Sequence, residues 1–283
     1  MKTYIKLLRS MLVLMSRLSP RTASKIALHI FLTPPKTKLS KSEQAFESKC
    51  TQEFVDFNNK RIRLLRYGKG DRVCMLVHGW GSRGTHLSRY ADALVKSGYT
   101  VYVFDGPAHG CSTGTTTDMV EFAQSIAAAA KQLKHVDAII GHSFGAACTL
   151  LSITRYGLNT NQLVLISCFA DAIFITESFA HYFRLKPSII QGMRELLELR
   201  HNRTWAWEDI APALLIRSIY KHILLVHDLN DDEVPFEHAK LLQANNPHVD
   251  IFTTQKQGHR KILRNRAGIE AAVSFLTSDI KSA

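Results

Sequence analysis

The sequence predicts an α/β fold, an eight-stranded and mainly parallel sheet flanked by helices. Three observations carry that expectation. Short apolar runs alternate with longer segments of helical periodicity, the pattern of strand–helix–strand crossovers. The runs are apolar throughout, as suits strands covered on both faces. At 283 residues, the chain is long enough to bury a large core as one domain.

Taken in order, residues 53–57 and 60–66 form a hairpin across Asn58-Asn59, residues that tolerate the backbone of a tight turn. Six further strands follow at 73–77, 101–104, 136–140, 163–166, 223–226 and 250–254. Helical patterns fall between and after them at 85–97, 117–134, 144–156, 236–244 and 265–277. The stretch 168–217 is too long for a plain crossover and reads as a small helical cap. It holds Phe174, Phe179, Tyr182, Phe183, Met193, Trp205 and Trp207, which favour an apolar group in a pocket beneath it, with His181, Arg184 and Lys186 as a polar rim. No internal repeat or low-complexity tract is present.

Residues 1–50 stand apart from the domain expected over 51–283. They contain ten Lys/Arg and two acids, a net +8 of the chain's +12. On a helical wheel, Tyr4, Ile5, Leu7, Leu8, Met11, Leu12, Leu14, Met15 and Leu18 cover about half the surface. Lys2, Lys6, Arg9, Ser10, Ser16 and Arg17 cover the other half, with Val13 as the exception. Pro20 ends or kinks this helix, and a second apolar pattern over 23–32 precedes Pro34-Pro35. No apolar run reaches the length of a membrane span, and Arg9 and Arg17 interrupt what a secretory signal would need. The segment is expected to pack on the domain, to lie on an anionic membrane through residues 1–32, or to do both.

Chemistry concentrates at the ends of the apolar runs. Gly141-His142-Ser143-Phe144-Gly145 follows one strand and opens a helix, the setting in which G-x-S-x-G forms a nucleophile elbow. Its turn is so tight that a Cβ at either glycine would strike a neighbouring element. After the strand at 223–226 comes an acid-rich loop with Asp228, Asp231, Asp232 and Glu233, and after the last strand comes Gly258-His259. Ser143, Asp231 and His259 therefore occur in the order Ser, Asp, His, each beyond the carboxyl end of a strand. A serine hydroxyl needs a base within reach to become a nucleophile, and His259 is that candidate. An acid that holds the imidazole tautomer completes the set; Asp231 is the first candidate, with Asp228 and Asp232 as alternatives. The backbone N–H groups of Trp80 and Phe144 are the candidate oxyanion donors.

These motifs together resemble an α/β-hydrolase-fold serine hydrolase, over residues 51 to the C-terminus. His78-Gly79-Trp80-Gly81-Ser82 resembles that family's oxyanion loop, and Asp105-Gly-Pro-Ala-His-Gly-Cys-Ser112 its D-x-P-G-H-G-x-S loop, with Ala108 where glycine is usual. The H-G-W-G and G-H-S-F-G pair is similar to small bacterial carboxylesterases. The resemblance implies Asp231, three residues before Val234-Pro235, as the acid. It also implies ester or thioester cleavage through an acyl-enzyme, on a small-molecule acyl substrate. A catalytically silent scaffold that binds a ligand, membrane or partner is the alternative of a different class.

Other classes fare worse. Gly79-Trp-Gly81-Ser-Arg-Gly84 matches a dinucleotide fingerprint, yet that reading leaves Ser143, Asp231 and His259 unexplained. No cofactor is called for. The histidines and cysteines lack metal-ligand spacing, so His78, His109 and His142 are expected to support loops or line the pocket. Outside residues 1–50 the net charge is only +4 and no nucleic-acid motif accompanies it. Five cysteines without paired spacing suit a reducing compartment, so the expected location is the cytoplasm. If residues 1–32 lie on lipid, the attachment is peripheral, on the inner membrane face.

Overall fold

The computed structural model describes residues 2–278. Helices α1 (Lys2–Leu18), α2 (Pro20–Phe31) and α3 (Lys41–Glu47) precede the sheet. The strands are β1 (Thr51–Phe57), β2 (Lys60–Tyr67), β3 (Arg72–Val77), β4 (Tyr99–Phe104), β5 (Ala138–His142), β6 (Gln162–Ile166), β7 (Ile223–Asp228) and β8 (Val249–Thr254). Between and after them lie α4 (Ser88–Lys96), α5 (Met119–Leu133), α6 (Phe144–Tyr156), α7 (Ala172–Phe183), α8 (Pro187–Arg200), α9 (Pro212–Leu215), α10 (Glu237–Gln243), α11 (Gly258–Lys261) and α12 (Arg266–Thr277).

One eight-stranded sheet runs in the order β1-β2-β4-β3-β5-β6-β7-β8, parallel from β4 to β8. Antiparallel β1 and β2 form the expected hairpin, with Asn58 and Asn59 at φ 45° and 59°. Register explains why the runs are apolar throughout. The row Met75–Ile139–Leu163–Ile223 faces the core layer shared with α5, α6 and α10. The next row, Leu76–Ile140–Val164–Leu224, faces the layer of α4 and α12. Strand order reverses between β3 and β5, so a crevice opens beyond their carboxyl ends.

Local chemistry moved several element ends. The helix expected from 85 begins with a 3₁₀ turn, Gly84–Leu87, because extended Arg83 supplies no side-chain cap. The helix expected from 117 starts at Met119, since buried Asp118 is its N-cap and accepts the Glu121 N–H at 2.9 Å. Helix α3 was not anticipated, although Ser40 and Glu43 form a complete capping box at its start.

Residues 8–50 are integrated with the rest of the molecule. Leu12, Ala23 and Ala27 pack against Phe183 of α7 and Ile189 and Met193 of α8. The α2–α8 seam is built of small residues: a Cβ on Gly192 would stand 2.5 Å from Ser24 Oγ, which in turn donates to the Ile189 carbonyl at 3.3 Å. Beyond α2 the chain forms a strap. The Leu32 carbonyl accepts the Thr117 N–H at 2.9 Å, Pro35 sits against Gly81, and the Arg83 guanidinium donates to the Thr37 carbonyl. Among the described residues, no helix is long and apolar enough to cross a membrane.

Candidate active site

The β5–α6 turn holds Ser143 at φ 52°, ψ −117°, a backbone region costly for any residue with a Cβ. Both neighbouring glycines are required there. A Cβ on Gly141 would lie 2.7 Å from Ala146 Cα, and one on Gly145 would lie 2.3 Å from the His78 carbonyl oxygen.

Three loops meet over this turn. Ser143 Oγ–H donates to His259 Nε2 at 2.9 Å, and His259 Nδ1–H donates to Asp231 Oδ2 at 2.8 Å. His259 and Asp231 are buried, while Ser143 keeps partial exposure. His259 sits in the one-turn helix α11 rather than in an open loop. Burial pushes the Asp231 carboxyl up, but the hydrogen bond and charge of His259 and the Val234 N–H outweigh it and hold it below the usual carboxylate range. Ser167, at φ 48° after β6, places its buried hydroxyl beside the same carboxylate. Nothing in the sequence marked Ser167 for that position.

The other acids of the loop have separate occupations. Asp228, fully buried, accepts Thr254 Oγ1–H at 2.6 Å, the Gln257 N–H at 3.1 Å and the Asn230 N–H at 3.0 Å. It clamps the acid loop to the segment that carries His259. Burial raises its carboxyl and these donors lower it further, leaving it below the usual range. Asp232 is exposed, and Glu233 pairs with Arg260 at 2.9 Å at the surface.

Three histidines hold the surrounding backbone. His78 Nδ1–H donates to the Gly79 carbonyl at 2.7 Å, while its Nε2 accepts the Gly106 N–H at 3.0 Å. His109 Nδ1–H donates to the Pro107 carbonyl at 2.9 Å, and its Nε2 accepts the Gly81 N–H at 3.0 Å. His142 Nε2–H donates to the His259 carbonyl at 3.0 Å. Each arrangement fits a neutral ring, and burial lowers all three, His78 to about 4 and His109 to about 3. Asp105 anchors the same loops from below, accepting the Gly84 N–H at 2.8 Å and the Cys111 N–H at 3.0 Å while paired with buried Arg63 at 2.7 Å. Ala108 takes φ 63° where the resembling loop has glycine, so its Cβ is accommodated in a left-handed turn.

Trp80 and Phe144 pack against each other beside the elbow. Their rings pack edge to face at 5.1 Å, and a Cβ on Gly79 would stand 3.2 Å from Ser143 Cβ. The Gly79–Gly84 stretch thus lies against the elbow before the 3₁₀ turn that leads into α4. Phe144 is the first residue of α6, so its N–H has no acceptor within the helix.

The cap aromatics are occupied differently from the expectation that they line a pocket. Phe179, Phe183 and Met193 pack with the N-terminal helices, Phe179 meeting Phe31 at 5.2 Å. Trp205 and Trp207 meet edge to face at 5.4 Å, and the Phe174 ring lies 4.3 Å from the His238 ring. Tyr182 is half-exposed, with the Arg9 guanidinium over its ring. His181 and Arg184 line a surface cleft at the α7–α8 turn with Glu177. Among the described residues no group of His, Cys, Asp or Glu is arranged to hold a metal ion.

Fold and site together define an α/β hydrolase. The alpha/beta hydrolase family matches residues 74–264, and the chain belongs to it. Similar solved structures include an esterase of Pyrococcus furiosus, 20% identical over 87% of this chain and 97% of that one, with TM-score 0.67. An esterase of Exiguobacterium antarcticum is 18% identical over 80% and 100% of the two chains, with TM-score 0.63. The mouse alpha/beta hydrolase domain-containing protein 10 is 16% identical over 82% and 99%, with TM-score 0.62. At these identities the likeness is one of fold. No curated protein matches the chain significantly.

Proposed function

We propose that the protein is a serine hydrolase that cleaves a carboxylic ester or thioester through an acyl-enzyme. The observation that carries this is the unbroken hydrogen-bonded chain Ser143–His259–Asp231, with 2.9 and 2.8 Å links, at a strained elbow. Ser143 Oγ attacks the acyl carbon while His259 Nε2 takes its proton. Asp231 fixes the Nδ1–H tautomer and stabilises the imidazolium. The N–H groups of Trp80 and Phe144 receive the developing oxyanion, donors worth about 3–4 kcal/mol each in comparable sites. Collapse breaks the bond to the leaving alcohol or thiol, which takes the proton from His259. Water, deprotonated by His259, then attacks the acyl-enzyme; the acid leaves and the proton returns to Ser143. No step calls for a cofactor.

Two esterases among the structural neighbours favour the same substrate class. The five free thiols favour a reducing compartment, and we assign the protein to the cytoplasm. Labelling of the folded protein by a fluorophosphonate tests the reading. Modification of wild type but not of Ser143→Ala is expected; an unlabelled wild type would favour the silent binding scaffold.

A further inference from the structure

Two apolar stripes run along α1, one residue apart and hence about 100° around the helix. Leu8, Leu12 and Met15 face the cap. Leu7, Met11, Leu14 and Leu18 point outward, with 65%, 40%, 58% and 72% of their surface exposed. Single exposed leucines are ordinary, whereas an aligned row of four marks a surface with a partner.

Charge identifies the partner. Residues 1–42 contain nine Lys/Arg and no Asp or Glu. Arg17, Arg21 and Lys25 are exposed on the same two helices. An apolar stripe in an acid-free basic setting complements an anionic bilayer: leucines enter the acyl boundary and the cations meet lipid phosphates. A second copy of this chain would instead bring like charges together.

The same helices are tied to the loop that carries Trp80. Arg9 lies over the Tyr182 ring of α7 at 4.8 Å, and the strap after α2 sets Pro35 against Gly81 and Thr37 against Arg83. We propose that the outer face of α1 docks on an anionic membrane, and that the ester cleaved at Ser143 is an amphiphile presented there. The second half rests on the hydrolase reading; the first does not.

The test uses the full-length protein and its Leu14→Asp/Leu18→Asp variant, both exposed positions whose change leaves the packed face of α1 intact. Each is sedimented with vesicles of equimolar phosphatidylglycerol and phosphatidylcholine, and with phosphatidylcholine alone. Wild type is expected to partition onto the anionic vesicles about tenfold more strongly than the variant and than onto the neutral ones, and to release as salt rises. Equal pelleting of the variant, or pelleting indifferent to salt, overturns the docking. So does a wild-type dimer that the variant disperses while neither protein pellets, because the stripe would then serve a second copy.

For substrate, the variant should lose about tenfold in rate on a long-chain ester embedded in the anionic vesicles and stay within about twofold on a short soluble ester. Equal rates on both substrates for the two proteins overturn the amphiphile. Failure of fluorophosphonate to label Ser143 would sink the hydrolase reading alone, leaving the sedimentation result to stand.

Discussion

In the sheet, every side chain of the rows Met75–Ile139–Leu163–Ile223 and Leu76–Ile140–Val164–Leu224 is covered by helices. In α1, Leu12 is buried while Leu14, two residues on, is 58% exposed. The first region is held by parallel register, which fixes each strand end and the loop that follows it. The second is held by one small cluster against the cap. Sites that demand sub-ångström placement sit on the first kind of region, and surfaces that meet a variable partner sit on the second.

The sharpest way to break the comparison is at the sheet edge. Ser143→Ala and His259→Ala should each lower turnover by about four to six orders of magnitude, and the double variant little further. Additive losses in steady-state assays would show that the two side chains do not act as a unit. Asp231→Asn should cost about 10⁴ in rate with the fold intact. Asp228→Asn should act chiefly on stability, about 1–3 kcal/mol, through its buried donors. A melting curve paired with kinetics separates them, and a reversed pattern would transfer the acid role to Asp228.

Acid should next strip stability from the loops. His78, His109 and His142 are buried neutral, with pKa values below that of a free imidazole, to about 4 for His78 and about 3 for His109. The unfolded chain binds those protons below about pH 6.5, whereas in the folded chain His78 takes its proton only near pH 4 and His109 near pH 3. Stability is therefore complete above about pH 6.5 and falls as pH drops towards 4, by up to about 1.4 kcal/mol per pH unit for each linked proton. A melting temperature flat across that window would contradict the neutral-ring arrangement. The smallest effect belongs to the outer face of α1. Leu14→Ser should destabilise by less than about 0.5 kcal/mol, against about 2–3 kcal/mol for Leu12→Ala on the packed face, both read from urea unfolding.

The elbow was legible because its demands are local: two glycines, a strand before and a helix after. The order Ser, Asp, His was equally plain. Choosing between Asp228 and Asp231 was harder, since the choice depends on the β7–β8 pairing that sets Asp228 opposite Thr254. Sequence alone does not display that pairing. Amphipathicity announced α1 and α2 but not what they would face, and Phe179, Phe183 and Met193 were drawn to those two helices rather than to a pocket. Helix α3 carried its capping box in plain view, yet seven residues gave too little periodicity to mark it.

The seam between Gly192 and Ser24 has a mechanical consequence. With Ser24 keyed into the space that a side chain would fill, α2 cannot slide along α8 without lifting away from it. The two N-terminal helices and the cap therefore form a single lever. Its short arm is the strap at Pro35 and Thr37, so a load applied along α1 reaches Gly81 and Arg83 without passing through the sheet.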